Sequence, residues 1–244
     1  MGSSLGPNIS ESGLVLCLDA ADKNSYPGTG TTWTDLSGNN YNGTLTNGPT
    51  FNNSNGGSIV FDGVNDIITV PNNSVMLNAL NNQFTMCFYI KNTSPAADNI
   101  INYSIFYKAD PAVFTKNSVW FYKNRTGGVY TYLWIGPDPS ATTKAFFSFP
   151  AETANGSGDQ IVHQYVISHD ATKFYGYKDG LLYTSGNLTA ANNITNTSNF
   201  YIGSSNISTS PFLGNFYAVQ FYNRTLTASE VLQNYNATKS RFGL

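Results

Sequence analysis

The sequence predicts an all-β protein, an antiparallel sandwich of two curved sheets with one short helix near the C-terminus. Three observations lead there. A dozen or more short apolar or alternating runs are separated by Gly, Asn, Pro and Asp turn formers. Only 11% of the 244 residues are charged, against about 25% in ordinary soluble proteins, so Asn, Ser, Thr and Gly carry the polar surface. Aromatics reach 14%, a mix that suits pleated, half-buried strands better than helix interiors. With 41% hydrophobic residues the chain can fill one large core, and no linker divides it.

Residues 1–12 are polar and aperiodic and read as an arm; one domain is expected over 13–244. The run Leu14-Val15-Leu16-Cys17-Leu18 reads as a strand buried on both faces. A long polar loop is expected from Asp19 to about residue 55, punctuated by Pro27-Gly28, Ser37-Gly38, Asn42-Gly43 and Asn47-Gly48-Pro49. Strands follow at 58–61 and 67–70 around Asp62-Gly63, then at 84–90, 104–108, 118–123 and 129–135, the last two joined as a hairpin. Further strands are expected at 145–149, 161–169, 173–177 and 181–185, with Asp179-Gly180 as a tight hairpin turn, and at 200–202 and 216–222. The helix starts at Thr227-Ala228-Ser229-Glu230, a capping box, with Leu226 and Val231 placed for a hydrophobic staple; it should end by about Thr238.

Several segments, in order, resemble the concanavalin A-like, laminin G-like superfamily. They are GLVLCLDA at 13–20, WTDLSGNNYNGT at 33–44, SIVFDGVND at 58–66, FYGYKDG at 174–180, Ile202-Gly203 with Phe212-Leu213-Gly214, and FYAVQFYNRTL at 216–226 before the Glu-containing helix. The resemblance covers nearly all of 13–244 and implies a jelly-roll sandwich. Residues 25–33 (SYPGTGTTW) through 47–51 (NGPTF) are similar to laminin G-like virion proteins of aquatic tailed bacteriophages, such as cyanophages. That likeness implies a capsid decoration, a capsid fibre or a tail-fibre component, located on the virion after assembly in the host cytoplasm. Its implied partners are other virion proteins or further copies of itself, and host-surface polysaccharide.

Charge and composition exclude several functions. A net charge of −2 and scattered basic residues leave no footprint for nucleic acid. No stretch is long and apolar enough to span a bilayer, and the first residues lack the basic start and apolar core of a secretory leader. Cys17 and Cys87 lie in apolar runs and are expected as buried free thiols. A retaining glycosidase on this fold needs two carboxylates about 5–5.5 Å apart, which alternate residues of one strand supply. The only glutamates are Glu11, Glu152 and Glu230, and none is paired on a strand, so no catalytic residue is assigned. His163 and His169, the only imidazoles, have no nucleophile motif near them, and His163 is expected to pack.

Two features remain as binding candidates. Asp62, Asn65 and Asp66 crowd one turn, and carboxylates with amide oxygens are calcium ligands; the competing reading is a hairpin turn with Asp capping local amides. Calcium is the only cofactor the sequence raises. Tyr130, Tyr132 and Trp134 alternate along one strand, and Trp120 and Tyr122 along the strand before it. Such a strip is either a stacking platform for sugar rings or a core or interface surface. The resemblance to phage virion proteins implies a non-enzymatic virion structural protein, for which this strip is a candidate host-glycan surface. The alternative is a carbohydrate-binding lectin module of a microbial surface or secreted protein, with a glycan hydrolase or lyase third.

Overall fold

A computed structural model describes residues 8–95, 102–108, 118–124, 130–136, 145–149, 158–170, 172–187, 194, 196–204 and 211–244. In chain order the strands are β1 (Leu14–Asp19), β2 (Thr32–Trp33), β3 (Gly43–Thr46), β4 (Thr50–Asn52), β5 (Ser58–Asp62), β6 (Ile67–Val70), β7 (Phe84–Asn92) and β8 (Asn102–Lys108). They continue with β9 (Ser118–Asn124), β10 (Tyr130–Gly136), β11 (Ala145–Phe149), β12 (Val162–His169), β13 (Lys173–Lys178), β14 (Leu181–Asn187), β15 (Phe200–Ile202) and β16 (Leu213–Tyr222). Helix α1 (Ser74–Asn81) lies between β6 and β7, and α2 (Ala228–Thr238) follows β16 and runs into a 3-10 turn, Lys239–Phe242.

The strands form two antiparallel eight-stranded sheets. One, sheet A, has the order β14-β13-β12-β7-β16-β5-β4, with β1 also paired to β16; the other, sheet B, runs β11-β10-β9-β8-β15-β6-β3-β2. Side chains from the two inner faces meet in one core, where Phe88 of sheet A stacks on Phe121 of sheet B at 5.4 Å and packs against Phe106 at 6.1 Å. The expected sandwich is thus the observed one.

The apolar runs of β1 and β7 have a simple cause. Strand β7 is buried along nearly its whole length, because α2 and the 3-10 turn cover the outer face of sheet A. Cys87, Val166, Tyr177 and Tyr222 pack there with Leu226 and Val231, the two residues of the staple. Tyr89 and Tyr217 meet Phe242 a turn further on. A buried polar layer fixes the helix: Gln164 Nε2 and Thr238 Oγ1 each reach Tyr89 Oη at 2.6 Å, and Asn234 Nδ2 donates to Tyr222 Oη at 2.9 Å. The capping box forms as expected, with the Thr227 side chain accepting from the Glu230 amide and the Glu230 carboxylate from the Thr227 amide. Cys17 and Cys87 are buried free thiols; both are register partners of Gln220, on opposite sides of β16, so two strand spacings separate them.

Two expectations need correction. The polar stretch after Asp19 is not wholly loop, since β2, β3 and β4 form within it as pieces of two to four residues, too short to show a period. Nor is α2 the only α-helix among the described residues: α1 is capped by Asn73, whose side chain accepts from the Met76 amide, and buries Met76, Ala79 and Leu80. Its start signal is a single Asn without the reciprocal Glu of a capping box. Of the expected arm, residues 1–7 lie outside the described residues. Ser10 donates its amide to Asn234 Oδ1 at 2.8 Å and Gln233 Nε2 donates to the Asn8 carbonyl at 3.0 Å, so this part of the segment lies along α2. Arg224 Nε, just before the helix, donates to the Ser12 carbonyl at 2.8 Å.

Candidate functional site

Strand alternation sorts the aromatic strip. On β9, Val119 and Phe121 are fully buried in the core, which leaves Trp120, half-buried between them, on the outer face of sheet B. Register then extends that position across the sheet. Thr32 pairs with Thr44, Thr44 with Thr69, Thr69 with Tyr201, Tyr201 with Tyr107 and Tyr107 with Trp120. The row goes on from Trp120 to Trp134 and from Trp134 to Phe146. One transverse row of outward positions therefore begins with threonines and ends in five consecutive aromatics.

Within this row, Tyr107 and Trp120 meet edge to face at 6.0 Å and 87°, and Tyr107 lies 6.4 Å from Tyr201. The Trp120 indole Nε1 donates to Ser104 Oγ at 2.9 Å, which fixes the ring plane. Tyr107 is buried among its neighbours, whereas Trp120 and Tyr201 keep exposed surface. In the next row, Tyr122 is the partner of Ser104 and Tyr132 the partner of Tyr122; Tyr130 pairs with Asn124. The side chains of Tyr122, Tyr130, Tyr132 and Trp134 lie outside the described residues, and the backbone register alone places them. Alternation along a single strand does not join Tyr107 or Tyr201 to the strip. Their adjacency comes from the β15–β8 pairing, a contact between strands far apart in sequence that no local pattern encodes.

The second candidate is tighter than a plain turn. Asp66 Oδ2 accepts the Asp62 amide at 2.9 Å, and Asp62 Oδ1 accepts the Val64 amide at 2.8 Å. Asp66 is 2% exposed, and its Oδ1 has no hydrogen-bond partner. Burial, together with the neighbouring Asp62 carboxylate, raises the Asp66 pKa. An orphaned anionic oxygen beside a second carboxylate fits a hard divalent cation. Asn65 contributes its carbonyl to Asn47 Nδ2 at 2.8 Å instead. Among the described residues no group of three His, Cys, Asp or Glu side chains converges.

Most of the other carboxylates among the described residues have structural partners. Glu230 is held by Arg224 at 2.6 Å, and that guanidinium with the Thr227 cap brings its pKa down to about 2. Asp19 meets Arg241 through two contacts of 2.9 and 3.0 Å, tying the 3-10 turn to the end of β1. Asp35 accepts the amides of Cys17, Ser37 and Tyr41 and so organises its loop. Glu152 lies outside the described residues. His163 is clasped by Asp179 at Nδ1 and Asp159 at Nε2, each at 2.7 Å. Burial lowers its pKa, but the two carboxylate hydrogen bonds outweigh burial and leave it above the usual value. With both ring nitrogens engaged, this imidazole has none to offer a nucleophile. His169 is buried 4.9 Å from the Phe84 ring, and burial lowers its pKa.

Comparison with known proteins agrees with the architecture. Residues 62–232 match the family model described as the concanavalin A-like lectin/glucanases superfamily. No curated protein sequence matches the chain. Among solved structures, the receptor binding domain of botulinum neurotoxin C/D mosaic serotype superposes with a TM-score of 0.69 at 15% identity, over 93% of this chain and 52% of that one. The binding domain of botulinum neurotoxin DC in complex with SialylT gives 0.68 at 15% identity, over 93% and 52%. Domain 4 of AbnA, a GH43 extracellular arabinanase from Geobacillus stearothermophilus, in complex with arabinotriose, gives 0.65 at 19% identity, over 93% of this chain and 100% of that one. The chain spans about half the length of the neurotoxin domains it matches.

Proposed function

The chain belongs to the concanavalin A-like lectin/glucanases superfamily, and on that premise we propose that it is a non-catalytic carbohydrate-binding module. The observation that carries this reading is the aromatic row on the outer face of sheet B, with Trp120 oriented by Ser104 and braced by Tyr107. Aromatic faces stack on the C–H faces of sugar rings, and nearby hydroxyls and amides read the ring hydroxyls. The low charge of the chain favours a neutral saccharide over an acidic one. Arabinotriose in the AbnA domain and SialylT in the neurotoxin domain are ligands of those proteins, and they support a saccharide as the class to test here. Glu230 and the described aspartates each serve a turn, a cap, an ion pair or the Asp62–Asp66 cluster, which supports binding over hydrolysis.

The place of action we propose is a phage virion, as a decoration or fibre component. The likeness of residues 25–33 and 47–51 to virion proteins of aquatic phages supports it. Calcium belongs to the proposal as a structural ion at Asp62 and Asp66, supported by the partnerless Asp66 Oδ1; it would supply charge neutralisation in that turn.

A glycan array that includes arabinotriose tests the binding reading. Wild type should bind a neutral oligosaccharide, and Trp120→Ala should bind it at least about tenfold more weakly, the loss of one stacked ring. No binding to any glycan, or equal binding by both proteins, would sink it. Mass spectrometry of purified particles tests the location; a particle without this chain rejects it.

A further inference from the structure

Helix α1 carries an exposed face unlike that of an ordinary surface helix. From Pro71 to Gln83 the chain has no charged residue and six carboxamides. Met76, Ala79 and Leu80 turn inward, while Ser74, Val75, Asn78 and, just past the helix, Asn82 and Gln83 are exposed. Exposed helix positions are ordinarily filled by Glu, Lys, Arg or Ala, which favour the helix more than Asn does. Asn78 sits inside α1, so it costs the helix stability that another residue would supply.

Three of the six carboxamides have structural work. Asn72 Oδ1 accepts from the buried Lys108 Nζ at 2.8 Å, and Asn73 caps the helix. Asn81 clamps Ile194 by both backbone groups, accepting its amide at 2.6 Å and donating to its carbonyl at 3.0 Å. The other three are tied only to one another. Asn82 Nδ2 donates to the Asn78 carbonyl at 2.8 Å and to Asn78 Oδ1 at 3.2 Å. Asn78, Asn82 and Gln83 make no further side-chain hydrogen bond among the described residues.

These three border an open cleft of about 800 Å³, together with Asn223, the first residue after β16. Val75 and Leu77 give the cleft apolar surface, and no charged or aromatic side chain among the described residues borders it. None of its bordering residues belongs to sheet B, so the cleft stands apart from the aromatic row.

We propose that this cleft is a second ligand site, which holds a neutral mono- or disaccharide by its hydroxyls. A carboxamide offers donor and acceptor in one plane, which matches adjacent hydroxyls that each donate and accept. Asn78 Nδ2, Asn82 Oδ1 and both ends of the Gln83 and Asn223 carboxamides are left for that task. Val75 and Leu77 meet the C–H surface of the ring. An ion would lose hydration in the cleft and find no counter-charge there. The volume falls within the range of about 300–1,000 Å³ usual for small-molecule sites. Without an aromatic ring, the cleft selects a sugar by its hydroxyl pattern, whereas the row selects one by its C–H face. The two sites therefore take different sugars, and neither requires the other.

A glycan array of neutral mono- and disaccharides, probed with the Trp120→Ala chain so that the aromatic row is disabled, tests the cleft. That chain should still bind a sugar on the array. Adding Asn78→Ala and Gln83→Ala should weaken this binding about tenfold or more, since two ligand hydrogen bonds are lost. Both residues are exposed and alanine favours the helix, so the melting temperature should hold or rise. Lys23→Ala, exposed and not bordering the cleft, should leave binding unchanged. No sugar bound by Trp120→Ala, undiminished binding after the two alanines, or a melting temperature that falls with them would each overturn the proposal. The first of these results leaves the aromatic row untouched as a saccharide site. Binding of every sugar that survives Trp120→Ala in full but not the two alanines supports the cleft and removes the row.

Discussion

Trp120 shows how one residue serves both order and recognition. Its N–H is bound by Ser104 and its ring is braced edge-on by Tyr107, so little rotamer freedom is left to lose when a ligand stacks. Trp120→Phe should therefore keep more affinity than Trp120→Ala, a rescue visible by calorimetric titration. At the other candidate, Asp66→Asn retains an acceptor for the Asp62 amide and removes a like charge. In calcium-free buffer the variant should melt no lower than wild type. Added calcium should raise the wild-type midpoint and leave the variant unmoved; a wild type indifferent to both calcium and chelator rejects the ion. His163 gives a pH prediction. Its folded pKa lies above the ordinary 6.5, so its stabilisation is complete below that value and is lost as pH rises through the folded pKa. His163→Gln should flatten that part of the profile of melting temperature against pH. If the wild-type profile has no slope there, the clasp is not protonated as described. Of these three environments the Asp62–Asp66 turn was legible, since its residues lie within five positions; alternation brought out Trp120, but Ser104 and Tyr107 are placed by strand pairing and Asp179 by the β13–β14 hairpin.

At the scale of elements, legibility follows locality. The capping box of α2 lies within four residues and was read correctly, because each partner is reached inside one helical turn. The Asp179-Gly180 turn was equally plain; both residues take positive φ, 52° and 80°, as a two-residue hairpin turn of this kind requires. Strands β2 to β4 and helix α1 are held by packing and register, and their own residues carry little periodic signal. Thr227→Ala removes the cap and should cost about 1 kcal/mol. In a chain of this length that is roughly 2–4 °C in Tm, measurable by calorimetry. A loss of several times that size would mean that Thr227 also anchors the Glu230–Arg224 pair to the sheet.

Across the molecule, the two outer faces differ in kind. Sheet A is sealed by α2 and the 3-10 turn, and Asn8 and Ser10 are tied to Gln233 and Asn234 of the same helix. Sheet B has no helix packed on its outer face among the described residues, and it carries the row from Thr32 through Trp120 to Phe146. The strip of aromatics was visible in the sequence as alternation along two strands. Its extension to Tyr107 and Tyr201 required the sheet order, because strands paired in space need not be neighbours in the chain. The central claim is that this face binds a neutral saccharide. Hydrogen exchange of the wild-type chain, with and without the oligosaccharide selected on the array, tests it most directly. Protection should rise at 102–108, 118–124 and 200–202 and stay unchanged in α1 and in the 62–66 turn. Protection confined to sheet A, or to the 62–66 turn, would contradict the claim.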